Sequence, residues 1–120
     1  IKKNYFGEAE ENSKKAITLN PSFITVQNTF ANMLLTLGRL DESEKYFRQV
    51  IQLNPNSAEA HNNLGVVLQA LNNENEAEIS FKHAIQLKSD FGDAHYNLGL
   101  LLKKCVEKMK LIQVLIMQKN

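Results

Sequence analysis

The sequence repeats itself with a period of 34 residues, and this periodicity constrains the fold more than any other feature. Residues 16–21 read AITLNP, residues 50–55 read VIQLNP, and residues 84–89 read AIQLKS. The phrases HNNLG at 61–65 and HYNLG at 95–99 keep the same spacing. Agreement of several columns in one register indicates a structural unit that is copied along the chain.

Apolar residues within each period recur at helical spacing. Phe30, Leu34 and Leu37 form one apolar stripe, and Phe47 and Val50 belong to a second. No segment shows the alternation of a β-strand, so the sequence predicts an all-α fold. The predicted helices are Phe6–Leu19, Phe23–Leu37, Asp41–Leu53, Ser57–Leu71, Glu74–Leu87 and Phe91–Lys104.

The breaks between the predicted helices contain residues that end or begin helices. Gly38 is suited to end the first helix of a unit, and Asp41 can cap the helix that follows. Asn54 precedes Pro55, and the residue before a proline disfavours the helical conformation. Each period is therefore predicted to be a hairpin of two antiparallel helices. Because one hairpin cannot bury its apolar faces alone, consecutive hairpins must stack.

This pattern resembles the tetratricopeptide repeat, a helical hairpin of the same period. The Leu-Gly pair lies in the first helix, and Ala77, Phe81 and Ala84 supply the small–aromatic–small trio of the second. The sequence departs mildly from the family pattern, for example at Ala31 in the glycine column. The resemblance covers residues 1 to about 104 and implies a right-handed superhelical solenoid of antiparallel helical hairpins.

The period divides the chain into four segments. Residues 1–23 correspond to the second helix of a truncated repeat, and residues 24–57 and 58–91 to two full repeats. Residues 92–120 correspond to the first helix of a further repeat, followed by an aberrant C-terminal helix. We therefore expect the chain to be a fragment of a longer protein.

The repeat pattern stops abruptly after Lys104. Positions 111 and 115 should hold a small and an aromatic residue, but the chain has Leu111 and Leu115. Three interpretations are open: a capping helix, an amphipathic helix that binds a partner, and a frameshift in the coding sequence. The genetic code favours the frameshift, because allowed codons in a shifted frame spell RKDEADTSFNNAKE, which fits the second helix of the repeat. As a helix, the segment is expected to cover the last repeat through Val106, Met109, Ile112 and Ile116.

Composition and motifs exclude several classes of function. The formal net charge of +1 gives no global attraction to nucleic acid or to a membrane surface. Cys105 is the only cysteine, so an internal disulfide is excluded. The sequence has no serine elbow, no glycine-rich phosphate loop and no set of metal ligands, and we predict neither catalysis nor a cofactor. His61 and His95 are interpreted as packing residues, and His83 is predicted to face outward. No targeting signal is readable, and the cytoplasm is only slightly favoured.

The best candidates for a binding site lie on the first helix of each hairpin. Leu64 and Leu68 point into the stack, so Asn62, Asn63 and Val66 should face away from it, toward the inner groove of the superhelix. In tetratricopeptide superhelices this face usually binds extended peptides. The predicted peptide contacts are Asn28, Asn32, Asn62, Asn63, Tyr96 and Asn97, with Leu35, Val66 and Leu100 as an apolar floor.

The asparagines resemble a recognition device of one branch of this family. An asparagine amide carries both a donor and an acceptor and so matches a peptide group. Asn63 and Asn97 resemble two rungs of the asparagine ladder in the repeat domain of O-GlcNAc transferases, with Thr29 interrupting the ladder. The alternative is that they are solvated residues without a role. A second comparison, with the clamp by which co-chaperones grip a terminal carboxylate, fails because Asp93 stands where that clamp has a basic residue.

These observations lead to one leading function and two alternatives. The sequence predicts a protein-interaction scaffold that holds an extended segment of a protein or peptide partner in its concave groove. The first alternative is the substrate-recruiting arm of a larger enzyme, such as a glycosyltransferase. The second is self-association through the exposed end repeats. Neither nucleic acid nor a membrane is an expected partner.

Overall fold

A computed structural model describes residues 4–119, and within them the chain forms six α-helices and no strand. The helices are α1 (Tyr5–Leu19), α2 (Ile24–Thr36), α3 (Leu40–Leu53), α4 (Ala58–Ala70), α5 (Glu74–Leu87) and α6 (Gly92–Lys119). The predicted all-α fold class is confirmed. The first five helices lie where the sequence predicts them to within about two residues, but α6 continues far beyond its predicted end at Lys104.

The helices stack as two rows that are unequally spaced. Each helix packs against the next in the chain, most extensively α2 against α3 and α4 against α5. In addition, α4 contacts both α2 and α6, whereas α3 makes no comparable backbone approach to α1 or α5. The row of α2, α4 and α6 is therefore the tighter one and forms the concave side. The whole body is an elongated slab of 62 × 40 × 20 Å.

Each complete hairpin turns through a residue in the left-handed backbone conformation. Gly38 has φ of 78°, and Asn72, one period later, has φ of 64°. The backbone then closes the end of the helix, as in the bond of 2.9 Å from the Arg39 N–H to the Leu34 carbonyl oxygen. Glycine and asparagine tolerate this conformation, but β-branched residues do not. One further period along stands Val106, and there the helix does not turn.

The start of α3 differs from the prediction. Arg39 occupies the N-cap position, and Asp41 lies in the first turn, where its charge faces the positive end of the helix dipole. Arg39 forms ion pairs of 2.7 Å with Glu10 of α1 and with Glu42. Hydrogen bonds from Arg39 and, to a smaller extent, from Lys14 lower the pKa of Glu10 to about 2. Glu10, on the acidic face of α1, therefore helps to hold α1 against the loop before α3.

The small and aromatic columns set the spacing of the helices. Phe47 and Phe81 are fully buried. A Cβ atom on Gly65 would lie 2.6 Å from the Phe81 ring, so the missing side chain is what lets α5 approach α4 this closely. A Cβ atom on Gly99, one period later, would meet nothing within 4 Å. Gly99 has no neighbour because α6 has no hairpin partner within the described residues.

The expectation that the C-terminal segment covers the last repeat is wrong. The segment is helical, but it projects past Glu74, the first residue of α5, instead of folding back over the last repeat. The side chains of Val106, Met109, Ile112 and Ile116 are 50–63% exposed. The continuation of α6 past Lys104 is the physical reason, because residues on a straight helix cannot return to the body they have left.

Candidate peptide-binding groove

Columns of equivalent residues cross the concave face formed by α2, α4 and α6. Positions 28, 62 and 96 form one column, positions 29, 63 and 97 a second, and positions 32, 66 and 100 a third. Residues three and four apart share a face of a helix, so the columns lie side by side. Because α4 contacts both α2 and α6, the columns run continuously across the three helices.

A hydrogen bond links α4 and α6 within this face. The Asn97 side-chain N–H donates to Asn62 Oδ1 at 3.1 Å. Asn62 is only 6% exposed, so the expectation that it faces away from the stack is corrected. It lies between two first helices because the residue it meets is the asparagine of the next repeat. Asn97 is partly buried and uses one of its two amide hydrogens in this bond.

The equivalent pair one repeat earlier is Asn28 and Asn63, which have the same separation along the chain. Both residues are partly buried. Asn28 Oδ1 is buried and has no hydrogen-bond partner among the described residues. A buried acceptor without a donor costs about 1–3 kcal/mol. A shift of the Asn63 amide that brings an N–H group to Asn28 Oδ1 would therefore stabilise this end of the groove.

The remaining predicted contact residues differ in accessibility. Leu35 and Val66 are partly buried and pack against the core, so they offer only part of their surface. Asn32 is also partly buried. Tyr96 is 68% exposed and Leu100 46% exposed. The accessible apolar surface of the groove is thus concentrated on α6.

A column of polar side chains that the sequence analysis did not predict forms hydrogen bonds to the loops between repeats. Its members are Gln27, His61 and His95, each one period after the last. Each side-chain nitrogen lies within hydrogen-bonding distance of the carbonyl oxygen six residues earlier, and these oxygens belong to Pro21, Pro55 and Ser89. The interpretation of the two histidines as packing residues was therefore incomplete. The signal was the recurrence of an N–H donor at a fixed distance after each loop.

His61 also contacts a second histidine. His83 is exposed, as predicted, but its ring stacks on that of His61 with the centroids 4.0 Å apart. Burial lowers the pKa of His61 below its ordinary value, and the neighbouring His83 lowers it further. The hydrogen bond to Pro55 opposes both effects.

Two clefts lie outside the concave face, on either side of α3. One, of about 410 Å³, is lined in part by Arg48 and His61, and the other, of about 390 Å³, in part by Gln27 and Gln52. Neither contains a predicted peptide contact. Across residues 4–119 there is no group of three or more potential metal ligands. None of the described helices combines the length and apolar character needed to span a bilayer.

Solved structures of known proteins share this architecture. The first TPR domain of Spaghetti (RPAP3), bound to an HSP90 peptide, superposes with a TM-score of 0.77 at 16% identity, over 83% of this chain and 82% of that chain. YrrB, described as a TPR protein with an unusual peptide-binding site, gives a TM-score of 0.70 at 28% identity, over 82% of this chain and 50% of that chain.

An enzyme is also among the similar structures. A mutant O-GlcNAc transferase of Thermobaculum terrenum gives a TM-score of 0.73 at 25% identity, over 78% of this chain but only 18% of that chain. No curated protein sequence matches the chain.

The family assignment rests on the sequence as well as on the shape. The family model described as tetratricopeptide repeat matches residues 22–90, more than half of the chain. The predicted resemblance and the predicted solenoid of helical hairpins are thereby confirmed, whereas the asparagine ladder and the boundaries of the individual repeats stay predictions. Domains of this kind are protein-interaction modules and are generally not catalytic. The chain belongs to the tetratricopeptide repeat family.

Proposed function

We propose that this protein is an interaction scaffold that binds an extended peptide segment along the concave face of α2, α4 and α6. The observation that carries the proposal is the contact between Asn97 and Asn62, which aligns amide groups of adjacent repeats at 3.1 Å. Asn28, whose Oδ1 atom is buried and lacks a hydrogen-bond partner among the described residues, lies in the same column as Asn62. Asn32, Asn63 and Tyr96 complete the proposed polar contacts.

The spacing of the repeats suits an extended backbone. Stacked helices repeat at about 8–10 Å, and an extended chain rises about 3.3 Å per residue. One asparagine per repeat therefore meets the ligand backbone at about every third residue. Recognition through backbone groups depends little on the ligand's sequence, and the exposed apolar surface at Leu100 adds a preference for an apolar side chain at one end.

The expected affinity is modest. Each amide-to-backbone hydrogen bond contributes about 0.5–1.5 kcal/mol net. Loss of two such bonds, at Asn63 and Asn97, should therefore raise Kd by about 5-fold to 150-fold. Binding by this domain alone is expected to be weak, and a partner that needs higher affinity must use the apolar floor as well.

The test is peptide binding by the variant Asn63→Ala/Asn97→Ala. A pool of nonapeptides is selected on the immobilised wild-type protein, and the selected peptides are titrated by fluorescence anisotropy. The matched control is Asn56→Ala/Asn75→Ala, which removes two exposed asparagines outside the groove. The proposal predicts weaker binding only by the groove variant, with circular dichroism unchanged in both. Equal affinities for the two variants would exclude the asparagines as contacts.

The chemistry of the peptide terminus gives a second readout. Asp93 and Glu59 both lie on exposed surface near the N-termini of α6 and α4. A free terminal carboxylate would be repelled there, so each selected peptide should bind equally well or better with an amidated C-terminus. A clear preference for the free acid would indicate a carboxylate clamp instead of a backbone-binding groove.

The alternative function is the substrate-recruiting arm of a larger enzyme such as a glycosyltransferase. It is favoured by the likeness to an O-GlcNAc transferase, of which this chain corresponds to 18%. The same groove would serve both functions. Reading the coding sequence on both sides of this segment separates them, because only the enzyme requires a catalytic domain in the same frame.

A further inference from the structure

One face of α6 is largely uncovered, whereas the equivalent face of α4 is buried. The residues of this open face follow one another at helical spacing and so share one side of the helix. They are His95, Leu98, Gly99 and Leu102, and their equivalents in α4 are His61, Leu64, Gly65 and Leu68. All four residues of α4 are buried, but in α6 Leu98 is partly buried and the other three are exposed. Leu102 is 40% exposed, and Leu68 is 1% exposed.

The hairpin of α4 and α5 shows which kind of helix covers such a face. Phe81 of α5 lies against Gly65, where a Cβ atom would be 2.6 Å from the ring. Ala77 and Ala84 lie on the same side of α5 as Phe81, and all three are fully buried. A helix that covers the open face of α6 therefore needs a small residue, an aromatic residue four positions later and a second small residue three positions after that.

The C-terminal segment of the chain lacks this pattern. Leu111 stands one period after Ala77, and Leu115 stands one period after Phe81. A large side chain thus replaces the first small residue, and the aromatic residue is missing. Leu111 is 61% exposed and Leu115 50% exposed. The segment therefore leaves the open face of α6 available.

A second copy of the chain does not supply the pattern either. Phe47 of α3 and Phe81 of α5 are fully buried within their own hairpins, so neither helix is available to another molecule. The remaining second helix is α1, whose face is only partly buried. It has Ser13 in the aromatic column, and a serine cannot fill the space in front of Gly99.

We propose that the open face of α6 docks an amphipathic helix of a partner protein, which takes the place of the missing second helix of the hairpin. The partner helix carries small, aromatic and small residues at positions i, i+4 and i+7, and its aromatic ring lies on Gly99. Such docking of a helix into a groove is a common mode of recognition. The site lies beside, and not on, the proposed peptide contacts Tyr96, Asn97 and Leu100, so it takes a different segment.

Charges at the two ends of this part of α6 set the direction of the docked helix. Asp93 lies at its N-terminal end and Lys103 at the other end, and both are exposed. A helix that runs antiparallel to α6 matches these charges when its acidic residues come first and its basic residues last. The helix α5 has this order, with Glu74 and Glu76 in its first turn and Lys88 at its C-cap. The partner helix is therefore expected to have acidic residues in its first turn.

The first experiment uses the α5 sequence itself as the probe. A capped peptide ENEAEISFKHAIQL is titrated into the isotope-labelled whole chain, and the backbone amide resonances are followed by NMR. The resonances of Gly99 and Leu102 should shift, and that of Gly65 should not, because its own α5 is attached at high effective concentration. The same peptide with Phe81→Ala should bind at least about 10-fold more weakly. No shift at Gly99 at millimolar peptide, or equal binding of the two peptides, overturns the proposal.

Substitutions in the protein test the position of the site. Gly99→Leu fills the space for the aromatic ring, so the peptide should no longer shift the Leu102 resonance. The free protein should keep its fold, because a Cβ atom on Gly99 would meet nothing within 4 Å. Leu102→Asp should also weaken binding, whereas the matched control Ile79→Asp changes an exposed apolar residue of α5 and should bind like the wild type. Undiminished binding by Gly99→Leu, or equal losses in Leu102→Asp and Ile79→Asp, would contradict the proposed site.

Sedimentation velocity without peptide distinguishes a partner from a second copy. The whole chain should remain monomeric up to high micromolar concentration. A concentration-dependent dimer that Gly99→Leu abolishes would mean that a second copy covers the open face, and the proposal would then be wrong.

Discussion

Substitution of Gly65 by alanine tests the contact that sets the distance between α4 and α5. The added Cβ atom would lie 2.6, 2.7 and 3.0 Å from three atoms of the Phe81 ring. The ring is fully buried, so it cannot swing out of the way. Overpacking of this kind costs about 1–3 kcal/mol, and the three close contacts place the cost in the upper half of that range. Alanine offsets about 1 kcal/mol of it through its better helix propensity, which leaves a net destabilisation of about 1–2 kcal/mol.

Gly99→Ala is the matched control, because Gly99 is the equivalent residue one repeat later and its Cβ atom would touch nothing. This variant gains the helix propensity without the clash, so we expect a stabilisation of up to about 1 kcal/mol. The measurement is the free energy of unfolding from urea denaturation at a fixed protein concentration. The two substitutions should shift the midpoint in opposite directions.

A double-mutant cycle identifies the cause of the destabilisation. In a Phe81→Leu background the ring is absent, so the cost of Gly65→Ala should fall and the coupling energy should be at least about 0.5 kcal/mol. If Gly65→Ala and Gly99→Ala change the stability equally, close packing at the Leu-Gly pair does not set the helix spacing, and the reasoning fails.

Two further predictions follow from local geometry. Asn72→Gly should stabilise the protein by about 1 kcal/mol, measured as a higher urea midpoint, because the backbone there has a positive φ of 64° and glycine adopts it without strain. The depressed pKa of His61 makes stability fall as the pH drops below its unfolded value of about 6.5, because the unfolded chain then binds a proton that the folded chain resists. His61→Gln should remove this dependence between about pH 7.5 and 5.5 and keep the bond to Pro55, as Gln27 does one repeat earlier.

The hairpins could be predicted from the sequence because local and long-range signals agree there. The 34-residue period fixed which residues are equivalent, and Gly38 marked a turn whose conformation few residues adopt. The clearest local miss was Asp41, which was expected to be a cap and lies in the first turn of α3. The residue type of Asp41 suits a cap, but the preceding turn at Gly38 determines where α3 begins, and it places Arg39 at the N-cap.

The candidate groove could be predicted only as a face. Helical spacing placed Asn62 of α4 and Asn97 of α6 along the same concave face, but it could not reveal that they contact each other. That contact depends on the offset between adjacent repeats. The packing of α4 against α6 sets this offset, and the sequence of neither helix alone determines it. The role of His61 could not be predicted for the same reason. Its partner Pro55 lies in a loop, and tertiary packing determines the position of that loop.

The course of α6 and the exposure of its C-terminal part follow from a single position. Gly38 and Asn72 accept a positive φ, and Val106 stands in the same column. A β-branched side chain makes that conformation costly, so the chain continues as a helix where earlier repeats turn. No second helix then packs against Gly99, which explains why a Cβ atom on that glycine would meet no atom within 4 Å. The same failure to turn leaves Met109 and Ile112 uncovered, whatever the origin of the segment in the coding sequence. The lost hairpin and the exposed apolar C-terminal part of α6 are thus two consequences of one residue.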